Sequence, residues 1–345
     1  MKKIISFIVI AVLLLAAFAG WKVFGPTISA SHGDYFYIKT GETFDGVKDS
    51  LVSQSYLSGS GWFEKVAGFS GFSPDKVKAG KYKVKKGMSL FNLVRMLKNG
   101  TQTPVNLVIT KLRTKEEFAR KTGNLFEFDS LQMINFLNNF DSLKKYDLDT
   151  NTAMSVVIPD TYTYFWNTTP DKVFRKIADN SQKFWNDERK KKADEHGLSP
   201  TQAYTLASII EEESNSKTDK PNIASVYLNR IQQGMPLQAE PTIKFAMKEF
   251  GLKRIYEKYL RFDSPYNTYV NKGLPPGPIC TPSPETIDEV LNSPKTDYLY
   301  FVAKSDLSGG SVFTTNFKDH MKYAREYQQS LNKQDSIVKA RQATQ

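Results

Sequence analysis

From Ile4 to Trp21 the chain reads IISFIVIAVLLLAAFAGW, apolar and uncharged, directly behind Lys2 and Lys3. A helix of that length covers most of the ~30 Å hydrocarbon core of a bilayer, and no ordinary soluble fold begins with an apolar stretch so long. Two fates fit it. One is a retained anchor, and the other is a signal peptide cut near Ala17-Phe18-Ala19. The run exceeds the usual ~7–15-residue core of a signal peptide, which favours the anchor. In either case the basic N-terminus stays cytoplasmic and everything after about Lys22 is exported.

The exported part must build its own core. The chain has 345 residues, 40% of them hydrophobic, enough for one or two domains. Its one cysteine, Cys280, excludes an intramolecular disulfide and a multi-cysteine metal centre, and a small buried residue is its expected role. His32, His196 and His320 stand far apart and outside any metal-binding spacing, so neither a metal nor a cofactor is expected. A histidine-assisted nucleophile would need His320 to meet Cys280 in space. The net charge of +11 is diffuse, and its densest cluster, DERKKKADEHG (187–197), mixes signs like an exposed helix end. On an exported chain this balance suits a lipid surface or an acidic polymer rather than nucleic acid.

The order of elements predicts an α+β chain. GPTISASHGD (25–34) reads as a linker, and YFYIKTGETF opens a strand-like segment. AGKYKVKKGMSLFNLVRMLKNG predicts a strand at Tyr82 to Val84, a turn at Gly87, and a helix capped by Ser89 and stopped by Gly100. Composition shifts near residue 102, where TPVNLVIT is another strand candidate, followed by polar helical stretches to about Lys145. VVIPDTYTYFWNTTP (156–170) suits a loop packed against a groove, and an amphipathic helix follows from about Asp171, with Val173, Phe174, Ile177, Phe184 and Trp185 as its core stripe. The polar tail after Ser330 is expected to fray.

TLASIIEEESNS (205–216) places three glutamates at the end of an apolar run. Ser199-Pro200-Thr201-Gln202 is a helix start, with serine as N-cap, proline at the first position and glutamine completing a capping box. That start fixes the helical phase. Leu206, Ile209 and Ile210 share one face and Glu213 continues it, while Glu211 and Glu212 point to flanks that can reach water. Lost hydration and the helix C-terminus both raise the pKa of a carboxylate at Glu213, as a general acid for a glycosidic oxygen requires. Periodicity alone leaves open that the helix frays at Ser214-Asn215-Ser216 and Glu213 ends at a wet corner.

LASIIEEES, ASVYLNRIQQGMPLQAEPT, SPYNTYVNKGLPPGPICTPS and YLYFVA, in this order and spacing, resemble the endolytic murein transglycosylase family, also called YceG-like. The resemblance spans most of residues 82–325 and is most specific over 205–282. It implies that the acid is the glutamate before a Ser or Thr, here Glu213, the residue the helical phase also selects. More broadly the pattern resembles lysozyme-like lytic transglycosylases, whose E-S pair, Leu-x-Gln stretch and Y-N pair fall here on Glu213-Ser214, Leu237-Gln238 and Tyr266-Asn267. Gln238, Glu240, Tyr266 and Asn267 are the implied substrate-binding residues. Each could equally be ordinary loop structure, since Pro265, Pro275, Pro276 and Pro278 alone make a rigid loop. LQAEPT carries Glu240 where the family usually shows aspartate, and VITKLRT (108–114) and VVIPDTY lack the family's acidic-Gly pairs.

The implied organisation is a cytoplasmic N-terminus and transmembrane anchor (1–24), a linker (25–34), a small LysM-like α/β module (35–102), a lysozyme-like catalytic domain (103–330) and a flexible tail (331–345). The implied reaction needs one protein carboxylate. Glu213 protonates the leaving oxygen and then takes a proton from the sugar's C6 hydroxyl, which closes on the anomeric carbon to leave a 1,6-anhydromuramoyl end. The implied partners are peptidoglycan glycan strands, nascent ones above all, with peptidoglycan synthases as candidate neighbours at the inner membrane. Tyr162, Tyr164 and Trp166 are candidates for a glycan groove and equally for core. Two other functions fit the same residues: a muramidase that uses water, and a non-catalytic peptidoglycan-binding scaffold.

Overall fold

The computed structural model describes residues 2–30, 33–252 and 255–343, which leaves His32 outside the described residues. The chain forms two compact units: residues 1–107, 122–129 and 163–170 make unit 1, and residues 108–121, 130–162 and 171–345 make unit 2.

Unit 1 begins with helix α1 (Lys2–Phe24), in which no residue is buried and whose length and composition suffice to cross a membrane. Strand β1 (Tyr35–Ile38), helices α2 (Phe44–Ser53) and α3 (Gly61–Ser70), strand β2 (Gly80–Lys83) and helix α4 (Leu90–Asn99) follow. β1 and β2 pair antiparallel, Tyr35 opposite Lys83 and Ile38 opposite Gly80, so that Phe36, Ile38 and Tyr82 face one core with Val47, Leu51, Phe63 and Leu93. Ser89 caps α4 by accepting from the Asn92 N–H, and Gly100 ends it with φ 69°, a left-handed turn that glycine adopts without Cβ strain. Trp166, a candidate for a glycan groove, packs edge-on against Tyr37 at 5.0 Å, while Tyr164 is buried against Phe126.

Two of the chain's five passages between the units fall within strands β3 (Val105–Val108) and β4 (Thr161–Tyr164). β4 corrects the loop expected over 156–170, because the alternation Thr-Tyr-Thr-Tyr is a strand pattern that the flanking prolines had masked.

Unit 2 is mainly helical. Helices α5 (Lys115–Gly123), α6 (Ser130–Asn138), α7 (Phe140–Lys144), α8 (Pro170–Phe184), α9 (Asp187–Glu195), α10 (Pro200–Glu213), α11 (Lys220–Gln232), α12 (Glu240–Met247) and α13 (Pro284–Leu291) precede a hairpin of β5 (Tyr300–Ala303) and β6 (Ser311–Thr314), and α14 (Phe317–Ala343) carries helical backbone through residues 331–343. The predicted stripe of α8 is buried at Val173, Phe174 and Ile177. Tyr162 is buried too, its hydroxyl donating to the Ile158 carbonyl, which makes it core rather than groove lining.

α10 is the axis of the unit. Its capping box is complete, with Ser199 accepting from the Gln202 N–H and the Gln202 side chain accepting from the Ser199 N–H. Eight consecutive residues from Ala203 to Ile210 are buried, so the helix is enclosed on all sides instead of presenting one apolar stripe. Leu206, Ile209 and Ile210 are fully buried, each contributing on the order of 1.5–3 kcal/mol. α11, α12 and α13 pack around it, which fixes the position of its last residue, Glu213.

Candidate active site

The three glutamates at the end of α10 differ in their partners. Glu211 Oε2 accepts from Lys220 Nζ at 2.9 Å and from the hydroxyls of Ser283 and Thr286. Burial pushes the Glu211 carboxyl up, but the hydrogen bonds from Thr286 and Lys220 outweigh it and hold the group below its ordinary range. Glu212 sits between Lys111 Nζ and Arg113 Nη2, each at 3.0 Å. Expected on flanks open to water, both side chains instead retain only about 15% exposure, 16% and 15%, and are neutralised by cations. Among the described residues Glu213 makes no such ion pair. The residue keeps some surface, but its Oε2 is buried and without a hydrogen-bond partner among the described residues. Burial raises the Glu213 pKa to about 7, the negative charge of Glu240 adds to the rise, and Lys244 works against it.

Interlocking contacts hold the cations that serve Glu212. Ser208, halfway along α10, accepts from the Ile279 N–H, and the Cys280 thiol donates to the Ser208 carbonyl at 3.3 Å. Cys280 is thus the small buried residue expected. His320 instead stacks on Tyr300 at 5.3 Å. Thr281 exchanges hydrogen bonds with Leu112, its N–H donating to the Leu112 carbonyl and its hydroxyl accepting from the Leu112 N–H. This strand-like contact places Lys111 and Arg113 on either side of Leu112, facing Glu212. Where VITKLRT lacks the family's acidic-Gly pair, it supplies these two cations.

Thr268 ties the other candidate residues together. Its carbonyl accepts from the Gln238 N–H, and its hydroxyl accepts from the Ala239 N–H and bonds that of Thr242 at 2.9 Å. The loop carrying Tyr266, Asn267 and Tyr269 is thereby fastened to the turn that carries Gln238 and leads into α12 at Glu240. Gln238 is exposed, with φ 56°, a left-handed conformation that costs a non-glycine residue ~1 kcal/mol or more and recurs at functional sites. Arg230, buried and without a carboxylate partner among the described residues, donates to the Leu237 and Leu299 carbonyls and holds this turn. Asn267 faces inward. It is fully buried, and its amide donates to the Leu260 and Phe262 carbonyls while its oxygen accepts from the Tyr269 N–H. Its donors are therefore committed to organising the loop. The Tyr266 ring packs on Phe245 at 4.8 Å, and burial raises its hydroxyl pKa to about 12.

Tyr227, Tyr269 and Lys244 belong to the same cluster and were not foreseen. Burial raises the Tyr269 pKa to about 12, with Glu240 and Glu213 adding to it. Burial likewise raises Tyr227, next to the charge of Glu213. The available signals were a second tyrosine three residues after Tyr266 and a lysine four residues after Glu240, on the same face of α12. Two adjoining cavities, of 170 and 260 Å³, share Arg113 and Phe245 as walls. Glu212 and Lys244 line the smaller and Tyr266 the larger.

A profile of the YceG-like family matches residues 36–326. The endolytic murein transglycosylase of Bacillus subtilis (strain 168) is 33% identical over 306 residues, covering 84% of this chain and 80% of its own. That of Streptococcus pneumoniae serotype 2 is 29% identical over 286 residues, 73% of this chain, which spans about half (51%) of that relative's length. The crystal structure of a YceG-like protein from Listeria monocytogenes superposes with a TM-score of 0.54 at 25% identity, covering 84% of this chain and 98% of the other. With that match running through both units and every residue of the Glu213 cluster, the chain belongs to the YceG-like family.

Proposed function

We propose that this protein is a membrane-anchored, endolytic peptidoglycan lytic transglycosylase in which Glu213 is the catalytic acid and base. The observation that carries the reading is a carboxyl group at the end of the central helix whose Oε2 is buried and has no hydrogen-bond partner among the described residues, with a pKa of about 7. Its two neighbours in sequence are both neutralised by cations. Such a group is protonated often enough at neutral pH to donate and basic enough to take the proton back. Family membership and relatives named for murein transglycosylation supply the substrate class.

Glu213 donates its proton to the glycosidic oxygen between MurNAc and GlcNAc, and the bond to the anomeric carbon breaks. The C6 hydroxyl of the same muramoyl residue then attacks that carbon and returns a proton to Glu213, leaving a 1,6-anhydroMurNAc end and a regenerated acid. The Gln238 amide and the Tyr266 ring contact sugar. Asn267 acts through the loop it organises, which positions Tyr266 and Tyr269. α1 is a retained single-pass anchor with its N-terminus in the cytoplasm, unit 1 a LysM-like module and unit 2 a lysozyme-like domain. The enzyme would then cut nascent strands close to the synthases that extend them, terminating elongation.

A second reading, a muramidase, is favoured by one feature. The charge of Glu240 acts on Glu213, and a second nearby carboxylate could activate water. Products separate the two. Purified peptidoglycan and nascent strands are digested with wild-type protein and with Glu213→Gln, and the muropeptides are identified by mass spectrometry. Anhydro ends from the wild type alone support the proposal, and reducing ends support the muramidase. No cleavage by either protein refutes both and leaves a glycan-binding scaffold.

A further inference from the structure

α1 is about 35 Å long at 1.5 Å per residue, slightly more than a hydrocarbon core, so its last turn, with Trp21 and Lys22, lies at the headgroup level of any bilayer it crosses. Unit 1 packs directly on that end. The rings of Phe24 and Phe91 are 5.5 Å apart, and those of Phe18 and Trp62 are 6.5 Å apart. Two backbone hydrogen bonds, Ile28 N–H to the Met88 carbonyl and Gly87 N–H to the Ile28 carbonyl, bind the linker to the turn before α4. Phe18 precedes Phe24 by six residues, so its contact with Trp62 lies roughly 9 Å deeper along the axis. α3 and α4 therefore sit in the interfacial layer.

What these helices present there is cationic and apolar. A cavity of about 500 Å³ opens beside the turn, lined by Lys85, Lys86, Asn92, Arg95, Met88 and Met96 among others, with no acidic residue in its wall. Lys85, Lys86 and Arg95 are exposed, and none makes an ion pair among the described residues. The Arg95 guanidinium lies 5.7 Å over the Phe91 ring, the ring that touches α1. On α3, Trp62, Lys65 and Phe69 share one face at i, i+3 and i+7, with Lys65 Nζ 5.2 Å over Trp62 and Phe69 95% exposed. The acid on this helix, Glu64, faces Lys48 at 3.4 Å. An almost bare phenylalanine on a unit that also carries unpaired surface cations is costly in water and favourable at an anionic interface.

We propose that this face of unit 1 is a binding site for anionic phospholipid headgroups, with Lys85, Lys86 and Arg95 holding the phosphate of a lipid beside α1 and Phe69 entering the acyl boundary. The proposal rests on α1 being a retained anchor. Continuity with the anchor selects lipid over acidic glycan, because the cavity opens where the helix leaves the bilayer.

The test is native mass spectrometry of the full chain in neutral detergent, titrated with phosphatidylglycerol or phosphatidylcholine of matched acyl chains. Phosphatidylglycerol is expected to bind at least about tenfold more tightly, and Lys85→Gln/Lys86→Gln/Arg95→Gln to lose that preference. Lys190→Gln/Lys191→Gln/Lys192→Gln, on α9 of unit 2, should keep it. Equal binding of the two lipids, equal loss in both triple variants, or displacement of phosphatidylglycerol by soluble peptidoglycan fragments would each overturn the site. Flotation with phosphatidylcholine vesicles reads the anchor separately. A full chain that fails to float overturns anchor and site together, and one that floats but lacks the anionic preference overturns the site alone.

Discussion

Replacing Glu213 with glutamine should stabilise the protein, and increasingly so as pH rises. The glutamate binds its proton more tightly folded, with a pKa of about 7, than at its ordinary value of 4.5. Below pH 4.5 both states are protonated and the group costs nothing. As pH climbs from 4.5 to 7 the unfolded chain releases its proton while the folded chain keeps it, so stability falls. Above 7 the full penalty of a buried, unpaired carboxylate is present, on the order of 3 kcal/mol. Glutamine keeps the shape and cannot ionise, so the advantage of the variant should grow from about 1 kcal/mol at pH 5 to about 3 kcal/mol at pH 8.5, a shift of several degrees in Tm for a unit of this size. Trp185 reports on unit 2 once Trp21, Trp62 and Trp166 are replaced by phenylalanine. Thermal melts of the full chain in neutral detergent at the two pH values supply the comparison. A difference independent of pH would show that Glu213 titrates as an ordinary surface carboxylate, and the assignment of the acid would fall with it.

Three further substitutions probe the frame. A Cβ at Gly277 would lie 2.2 Å from the Asn151 carbonyl oxygen, so Gly277→Ala should displace backbone and cost at least about 1–3 kcal/mol, seen as a lower Tm. Thr268→Val leaves the Ala239 N–H without its partner and should cost about 1–3 kcal/mol, with KM rising as the turn carrying Gln238 loosens. Arg113→Met leaves Glu212 to Lys111 alone. With Arg113 34% exposed, about 1–2 kcal/mol is expected, measured by denaturant melts at low and high salt.

Local signals in the sequence were reliable where one residue's chemistry fixes the backbone. Ser89 and Gly100 bound α4, and Ser199, Pro200 and Gln202 start α10, because caps depend on neighbours only. Signals that depend on distant chain were not legible. A helical stripe was read at Leu206, Ile209 and Ile210, yet Ala203 to Ile210 are all buried, since three other helices and the 279–281 segment enclose α10. The same enclosure brings Lys111, Arg113 and Lys220 to Glu211 and Glu212 across sequence separations that no periodicity encodes. Asn267 shows the converse limit. A motif names a residue type, but only the fold shows that its amide is already committed to Leu260 and Phe262.

The proton affinity of Glu213, raised chiefly by burial, is thus adjusted from a neighbouring helix. Glu240 and Lys244 occupy one face of α12 and act on Glu213 with opposite signs, the first raising its pKa and the second lowering it. If Glu213 donates a proton in the rate-limiting step, the alkaline limb of kcat/KM follows its pKa in the free enzyme. Glu240→Gln removes a negative neighbour and should move that limb to lower pH, whereas Lys244→Met removes a positive one and should move it higher. The double variant should return towards wild type. A change in accessibility or packing would shift both single variants the same way or lower the rate without moving the limb, so opposite displacements are the signature of charge. If instead Glu240 activated water, Glu240→Gln would abolish cleavage outright, and a rate surviving with a displaced limb would exclude that role.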